Sequence, residues 1–146
     1  MPAIRKSDSG EVRLTASDLA PRRLGGGRVL VVEEGADAAA TLTAMLRLNG
    51  FDARSAHSGA EALKAIAAHQ PRAVLMDLDL PDGDACDIIR RVRAKADPPS
   101  VVVLTAHTDG AHRRAAADAG ATEYLLKPVE PSVLVRLLLD LCPASD

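Results

Sequence analysis

An acid at the end of a buried strand can be a nucleophile or a metal ligand, and Asp77 stands in such a place. Between Pro71 and Asp84 the apolar run Ala73-Val74-Leu75-Met76 ends in acids at Asp77, Asp79, Asp82 and Asp84, with Pro81 and Gly83 between them. An unbroken apolar run of this length reads as a strand buried on both faces, as in a parallel sheet. Pro81-Asp82-Gly83 is a turn signal, proline presetting φ and glycine closing the turn. Asp77 therefore sits at the carboxyl end of a strand, the edge on which open parallel sheets build their sites. Taken alone, it reads first as a solvated strand-end acid.

Three more strands end in the same manner. Val29 to Val32 runs into Glu33 and Glu34, Val101 to Leu104 delivers Thr105, and Glu123 to Leu126 ends at Lys127-Pro128. If the strands are parallel, all of these ends share one rim. Glu33, Glu34 and Asp77 would then crowd like charges, which raises a carboxylate pKa unless a cation neutralises it. Carboxylates, a carbonyl and waters form an all-oxygen set that suits a hard ion such as magnesium. Lys127 adds a point charge for an anion, and Thr105 a hydroxyl donor. Such a group would stabilise a transferring phosphoryl group, with the carboxylate as nucleophile.

The elements that must hold these residues follow in regular order. From Asp37 the pattern is helical, with Leu42, Met45, Leu46 and Ala38 on one face, and it stops at Asn49-Gly50. Phe51 to Ala56 is of mixed polarity and reads as an edge strand. Ser58-Gly59-Ala60-Glu61 is a capping box before a helix carrying Leu63 and Ile66. Asp84 caps a helix with Ile88, Ile89 and Val92 inward. Asp109 to Ala119 is an alanine-rich helix stopped by Gly120, and Pro131 opens a last helix to about Cys142. Strand and helix alternate five times, the pattern of an open parallel sheet with helices on both faces.

Composition narrows the function classes. The chain has 146 residues, enough for one domain with a real core. One Phe, one Tyr and no Trp leave that core to aliphatic side chains. A net charge of -2 argues against nucleic-acid binding through a broad basic face. No apolar run reaches membrane-spanning length, and the first residues lack the centre of a signal peptide. Cys86 and Cys142 form no C-x-x-C pair and suggest a reduced, cytoplasmic setting. The histidines show no metal-ligand spacing: His107 and His112, five apart, would not share a helical face. His57, His69 and His112 read as surface residues. Residues 1–27 read as a flexible leader with a turn around Thr15 to Ala20, residues 28–142 as the domain, and 143–146 as a tail. Gly25-Gly26-Gly27 precedes a strand, so it is a linker and no phosphate loop.

The segments LVVEE, VLMDLDLPDGD, VVLTA and YLLKP, in this order and at these spacings, resemble the receiver domain of two-component response regulators over Arg28 to Leu141. The resemblance, which is closest in form to single-domain, chemotaxis-type regulators, implies a flavodoxin-like doubly wound five-stranded sheet of order 2-1-3-4-5 with five helices in three layers. It implies that Asp77 accepts a phosphoryl group from a histidine on a sensor kinase or phosphotransfer protein, and catalyses that transfer and its own dephosphorylation without being an enzyme in the usual sense. Glu34, Asp77 and the backbone carbonyl of Asp79 would bind Mg2+, with Glu33 acting through a water. Lys127 would hold the phosphoryl oxygens, and its bond to Pro128 would be cis. Thr105 and Tyr124 would form the switch pair, and Asp79 and His107 would modulate dephosphorylation. Two departures stand out: the family usually has Asp at the position of Glu34, and glycine at that of Ala85.

Two rival readings share this sheet. One is a receiver that no longer takes phosphate and acts as a binding module, which only Glu34 favours. The other is a flavin- or nucleotide-binding protein, which Glu33 and Glu34 oppose by repelling phosphate. Few residues follow the last helix, so the expected output is a protein target or the next phosphorelay carrier, with no attached effector, nucleic acid or membrane. In the last helix Ser132, Arg136 and Asp140 form a polar stripe of only about 80°. The wide apolar remainder suggests a docking face for a partner or a second copy around Val135 and Leu139.

Overall fold

The computed structural model describes residues 27–143, preceded by a short antiparallel pairing of Arg5–Lys6 with Val12–Arg13. The rest of the expected leader, including the turn around Thr15, and residues 144–146 of the expected tail lie outside the described residues. Five strands form one parallel sheet: β1 (Arg28–Val32), β2 (Asp52–Ala56), β3 (Ala73–Asp77), β4 (Ser100–Thr105) and β5 (Glu123–Leu126). Their order is 2-1-3-4-5, with β2 at one edge and β3 in the middle. The helices between and after them are α1 (Ala36–Leu48), α2 (Gly59–His69), α3 (Ala85–Arg93), α4 (Gly110–Ala119) and α5 (Pro131–Leu141).

The apolar runs become the inner strands because both faces of the sheet are covered. Leu30, Val32, Val74, Met76, Val101 and Val103 face α2, α3 and α4, meeting Ala62, Ile66, Ile89, Val92 and Ala116. The alternate residues Val29, Val31, Leu75, Val102 and Leu104 face α1 and α5, meeting Leu46, Leu134 and Leu138. A strand whose successive side chains enter opposite cores must be apolar at every position, as these are. Truncating one such leucine to alanine costs about 2–5 kcal/mol.

Helix ends follow the expected chemistry with two refinements. Ser58 Oγ accepts from the Glu61 N–H at 3.1 Å, while the Glu61 carboxylate reaches back to the His57 N–H at 2.9 Å, one residue short of a closed capping box. Asp84 caps α3 through the Cys86 N–H, and Asp109 caps α4 through the His112 N–H. In α1 the buried small residue is Ala39, and Ala38 is exposed. The turn at Pro81-Asp82-Gly83 closes a small hairpin that pairs Asp79–Leu80 with Gly83–Asp84. The Asp82 carboxylate then accepts from the Gly59 and Ala60 N–H groups, tying that hairpin to the start of α2. Among the described residues no helix is long and apolar enough to cross a membrane.

Candidate phosphoacceptor site

Burial brings the rim together. Ala73 to Met76 of β3 are buried, and Asp77 is the first residue of that strand to reach solvent. Val32 pairs in register with Met76, so Glu33, one step beyond β1, comes alongside Asp77. Asp77 pairs with Leu104, and Thr105 follows at the end of β4. Lys127 lies one step beyond β5, where its N–H donates to the Thr105 carbonyl at 2.8 Å. From that anchor its Nζ stands 3.4 Å from Asp77 Oδ2 and 3.5 Å from Glu33 Oε2. These are ion pairs at the long end of hydrogen-bond range, and one ammonium serves two carboxylates. Glu33, Asp77 and Lys127 line a cavity of about 80 Å³ with Val31, Ala38, Leu42, Leu75 and Leu104 around them. The Lys127–Pro128 peptide bond is cis.

The two carboxylates divide the electrostatic strain. Burial pushes Glu33 above the ordinary carboxylate range, and its contact with Asp77 pushes it further. Burial also acts to raise Asp77, but the hydrogen bond from Glu33, the Asp79 N–H and Lys127 outweigh it and leave Asp77 below the ordinary range. The Asp79 N–H donates to Asp77 Oδ1 at 3.0 Å. Asp77 thus stays ionised, with one oxygen held by the backbone and the other facing Lys127. Glu33 is the weaker acid of the crowded pair.

The remaining expected site residues fall into two groups. Thr105 is fully buried at the rim, and its Oγ1 accepts from the His107 N–H at 3.1 Å. Tyr124 is turned inward: its hydroxyl donates to the His107 carbonyl at 2.8 Å, and the Arg113 guanidinium sits 4.7 Å over its ring. The Asp79 side chain meets His107, with Oδ1 2.9 Å from Nε2. That carboxylate holds His107 above the usual imidazole range. Glu34 is exposed, and it is Glu33 that makes the contacts with Asp77 and Lys127. Val135 and Leu139 are half-buried against the core beneath α5, which shows Ser132, Val133, Arg136 and Asp140 to solvent.

Four histidines depart from expectation. His69 is buried, its Nε2 donating to the Asp52 carbonyl at 3.2 Å. Its place at the last position of α2, on the Ala62–Ile66 face, was the signal available in the sequence. His57 is half-buried, with Nδ1 donating to the Glu33 carbonyl at 3.0 Å. His107 and His112, expected to be apart, stack with ring centroids 4.0 Å apart and planes within 5°. The helical-face argument failed because α4 begins at Gly110, leaving His107 in the preceding loop, free to fold back.

The acidic pocket fits a divalent cation on its own evidence: a Glu33 carboxyl raised by burial and by Asp77, and one lysine ammonium facing two acids. Glu33 and Asp77 offer only oxygen there, the donor type that suits Mg2+.

Comparison with known proteins agrees with the geometry. The model of the response regulator receiver domain matches residues 29–139. The transcriptional regulatory protein PrrA of Mycobacterium tuberculosis is 38% identical over 108 residues, covering 74% of this chain and 46% of its own. The DNA-binding response regulator MtrA of Mycobacterium leprae is 40% identical over 108 residues, 74% of this chain and 48% of that one. The chain therefore spans about half the length of these curated relatives. A response regulator from Chloroflexus aurantiacus superposes with a TM-score of 0.73 at 34% identity, covering 80% of this chain and 97% of that structure. Strand order, rim residues and these likenesses agree: residues 29–139 place this chain in the response regulator receiver domain family.

Proposed function

We propose that this receiver accepts a phosphoryl group on Asp77 from a phosphohistidine and passes the signal on by changing a protein-binding surface. The observation that carries this reading is the Lys127 ammonium held between the Asp77 and Glu33 carboxylates at 3.4 and 3.5 Å. A carboxylate oxygen of Asp77 attacks phosphorus, the bond from phosphorus to the donor imidazole nitrogen breaks, and its electron pair stays on that nitrogen. The product is an acyl phosphate. Lys127 pairs with the phosphoryl oxygens, and the Thr105 hydroxyl, turned toward them, donates to one.

The residues that would hold Mg2+ are Glu34, Asp77 and the Asp79 carbonyl, with Glu33 through a water. The ion would supply positive charge beside the transferring group. Once Thr105 turns to the phosphoryl group, the His107 N–H loses its acceptor, and the loop that also holds Tyr124 must adjust. That coupling supports Thr105 and Tyr124 as the switch.

The donor is a sensor histidine kinase or a histidine phosphotransfer protein, and the recipient a downstream protein. Two buried, unpaired thiols, Cys86 and Cys142, support a cytoplasmic setting. The relatives' names speak of transcription and DNA binding, but for longer chains of which the match covers 46–48%, and the receiver's part is what we assign here. The test is intact mass after incubation with acetyl phosphate and magnesium. One phosphoryl adduct, absent in Asp77→Asn, is expected. No adduct at saturating magnesium would instead favour a module that works without phosphorylation, as the glutamate at position 34 would then explain.

A further inference from the structure

The loop after β4 and the first turn of α4 carry a second set of ligating groups outside the acidic pocket. One ligand atom each from His107, Asp109 and His112 lie within 4.8 Å of one another. We propose that these three residues form a separate cation site that takes a borderline divalent transition ion such as Zn2+.

The donor set argues for that class of ion. Two imidazoles and one carboxylate suit zinc, nickel or copper, whereas magnesium prefers an all-oxygen shell. The rings are also prepared for ligation. His107 Nε2 is engaged by Asp79 Oδ1 at 2.9 Å, which leaves the lone pair of Nδ1 free once Nε2 carries the proton. A carboxylate holding the far nitrogen of a ligating histidine is the recurrent outer-shell device of metal sites. His112 Nδ1 lies 2.7 Å from Asp109 Oδ2, and its other nitrogen makes no hydrogen bond among the described residues.

The two rings stack in parallel with their centroids 4.0 Å apart. With metal–nitrogen bonds of about 2.0–2.1 Å, the two nitrogens must approach to roughly 3 Å. For this the rings must turn out of their parallel stack, which is open to them because all three residues are at least partly exposed. The positive end of α4 opposes a cation here, and the carboxylates of Asp79 and Asp109 offset it.

Occupancy would tie the loop to α4. His107 is the residue whose carbonyl accepts the Tyr124 hydroxyl, so the ion would hold the loop in the form that keeps this ring inward. The site shares no ligand with the acidic pocket, and its test is arranged accordingly. The full chain in excess Mg2+, which occupies the acidic pocket, is titrated with ZnCl2 by calorimetry. One site is expected, weakened at least tenfold in His112→Gln and unchanged in Asp77→Asn. An isotherm unaffected by His112→Gln, or one abolished by Asp77→Asn, would overturn the proposal. NiCl2 supplies a second reading. The chain has a single tyrosine, whose ring protons should broaden on Ni2+ addition in the native chain and far less in His112→Gln. Sharp Tyr124 signals at saturating nickel would place the ion elsewhere.

Discussion

Lys127 faces two carboxylates with one ammonium, and this imbalance governs how the pocket treats other cations. The same charge that would steady a phosphoryl group competes with a divalent ion for Glu33 and Asp77. Lys127→Met should therefore tighten Mg2+ binding while slowing phosphorylation by acetyl phosphate. The lysine is two-fifths exposed, so its pairs are worth about 1 kcal/mol or less, and the expected gain in Mg2+ affinity is roughly threefold to fivefold. A magnesium titration followed by the Tyr124 fluorescence checks the first effect, and adduct formation by mass the second. A variant that bound Mg2+ more weakly would mean that the lysine organises the carboxylates rather than competing for them. At this scale the sequence was legible wherever a polar residue ended an apolar run, as at Asp77, Thr105 and Lys127. It was not legible which of two adjacent glutamates turns inward. Strand alternation separates Glu33 from Glu34, but the chain has left the strand by then, and the Ala56 carbonyl, accepting from the Glu33 N–H at 2.9 Å, fixes the outcome.

Elements set the environment of the groups they carry, and α2 shows this at its end. His69 sits at the last helical position, buried against β2, with the Asp52 carbonyl as its only acceptor among the described residues. Burial lowers its pKa first and Arg54 second, with Arg28 adding to this and Asp52 opposing it. A histidine depressed in the folded state stabilises the fold above the unfolded value of about 6.5. That contribution is lost as pH falls through the folded value, because the unfolded chain binds the proton first. The native chain should thus lose more of its urea midpoint between pH 7 and pH 5 than His69→Gln, which cannot titrate. The slope assignable to this one group has a ceiling of about 1.4 kcal/mol per pH unit. Equal losses in both proteins would put the acid sensitivity elsewhere. Periodicity located α2, its Ser58 cap and Ile66, but counted histidine as a surface residue by type. The same habit placed Ala38 inward, where the face is set by Ala39, Thr43 and Leu46. Small residues carry little hydrophobic signal, so only packing against the sheet decides between neighbours.

For the whole molecule, gathering acids on one rim weakens the fold in order to create the site. The order of the five strands was legible because every strand is flanked by helical periodicity, and a parallel sheet then puts all carboxyl ends together. The cost of that gathering was not legible, because it depends on how close Glu33 and Asp77 come. Glu33 is raised in the folded state, so its ionised form at neutral pH opposes folding; this destabilisation is absent at acid pH and grows as pH rises through the unfolded value toward the folded one. Glu33→Gln should then raise the thermal midpoint of the metal-free chain at pH 7, and the gain should shrink as the pH is lowered. Mg2+ relieves the same repulsion by binding only the folded chain. At a hundred times its dissociation constant a ligand of this kind adds about 2.7 kcal/mol, on the order of 10 °C for a domain of this size. Asp77→Asn, which removes a ligand, should gain much less on addition of Mg2+. Calorimetric scans of the native chain and both variants, with and without Mg2+, check this. If metal-free Glu33→Gln melts no higher than the native chain, Lys127 already neutralises the rim, and the pocket carries no strain for a cation to relieve.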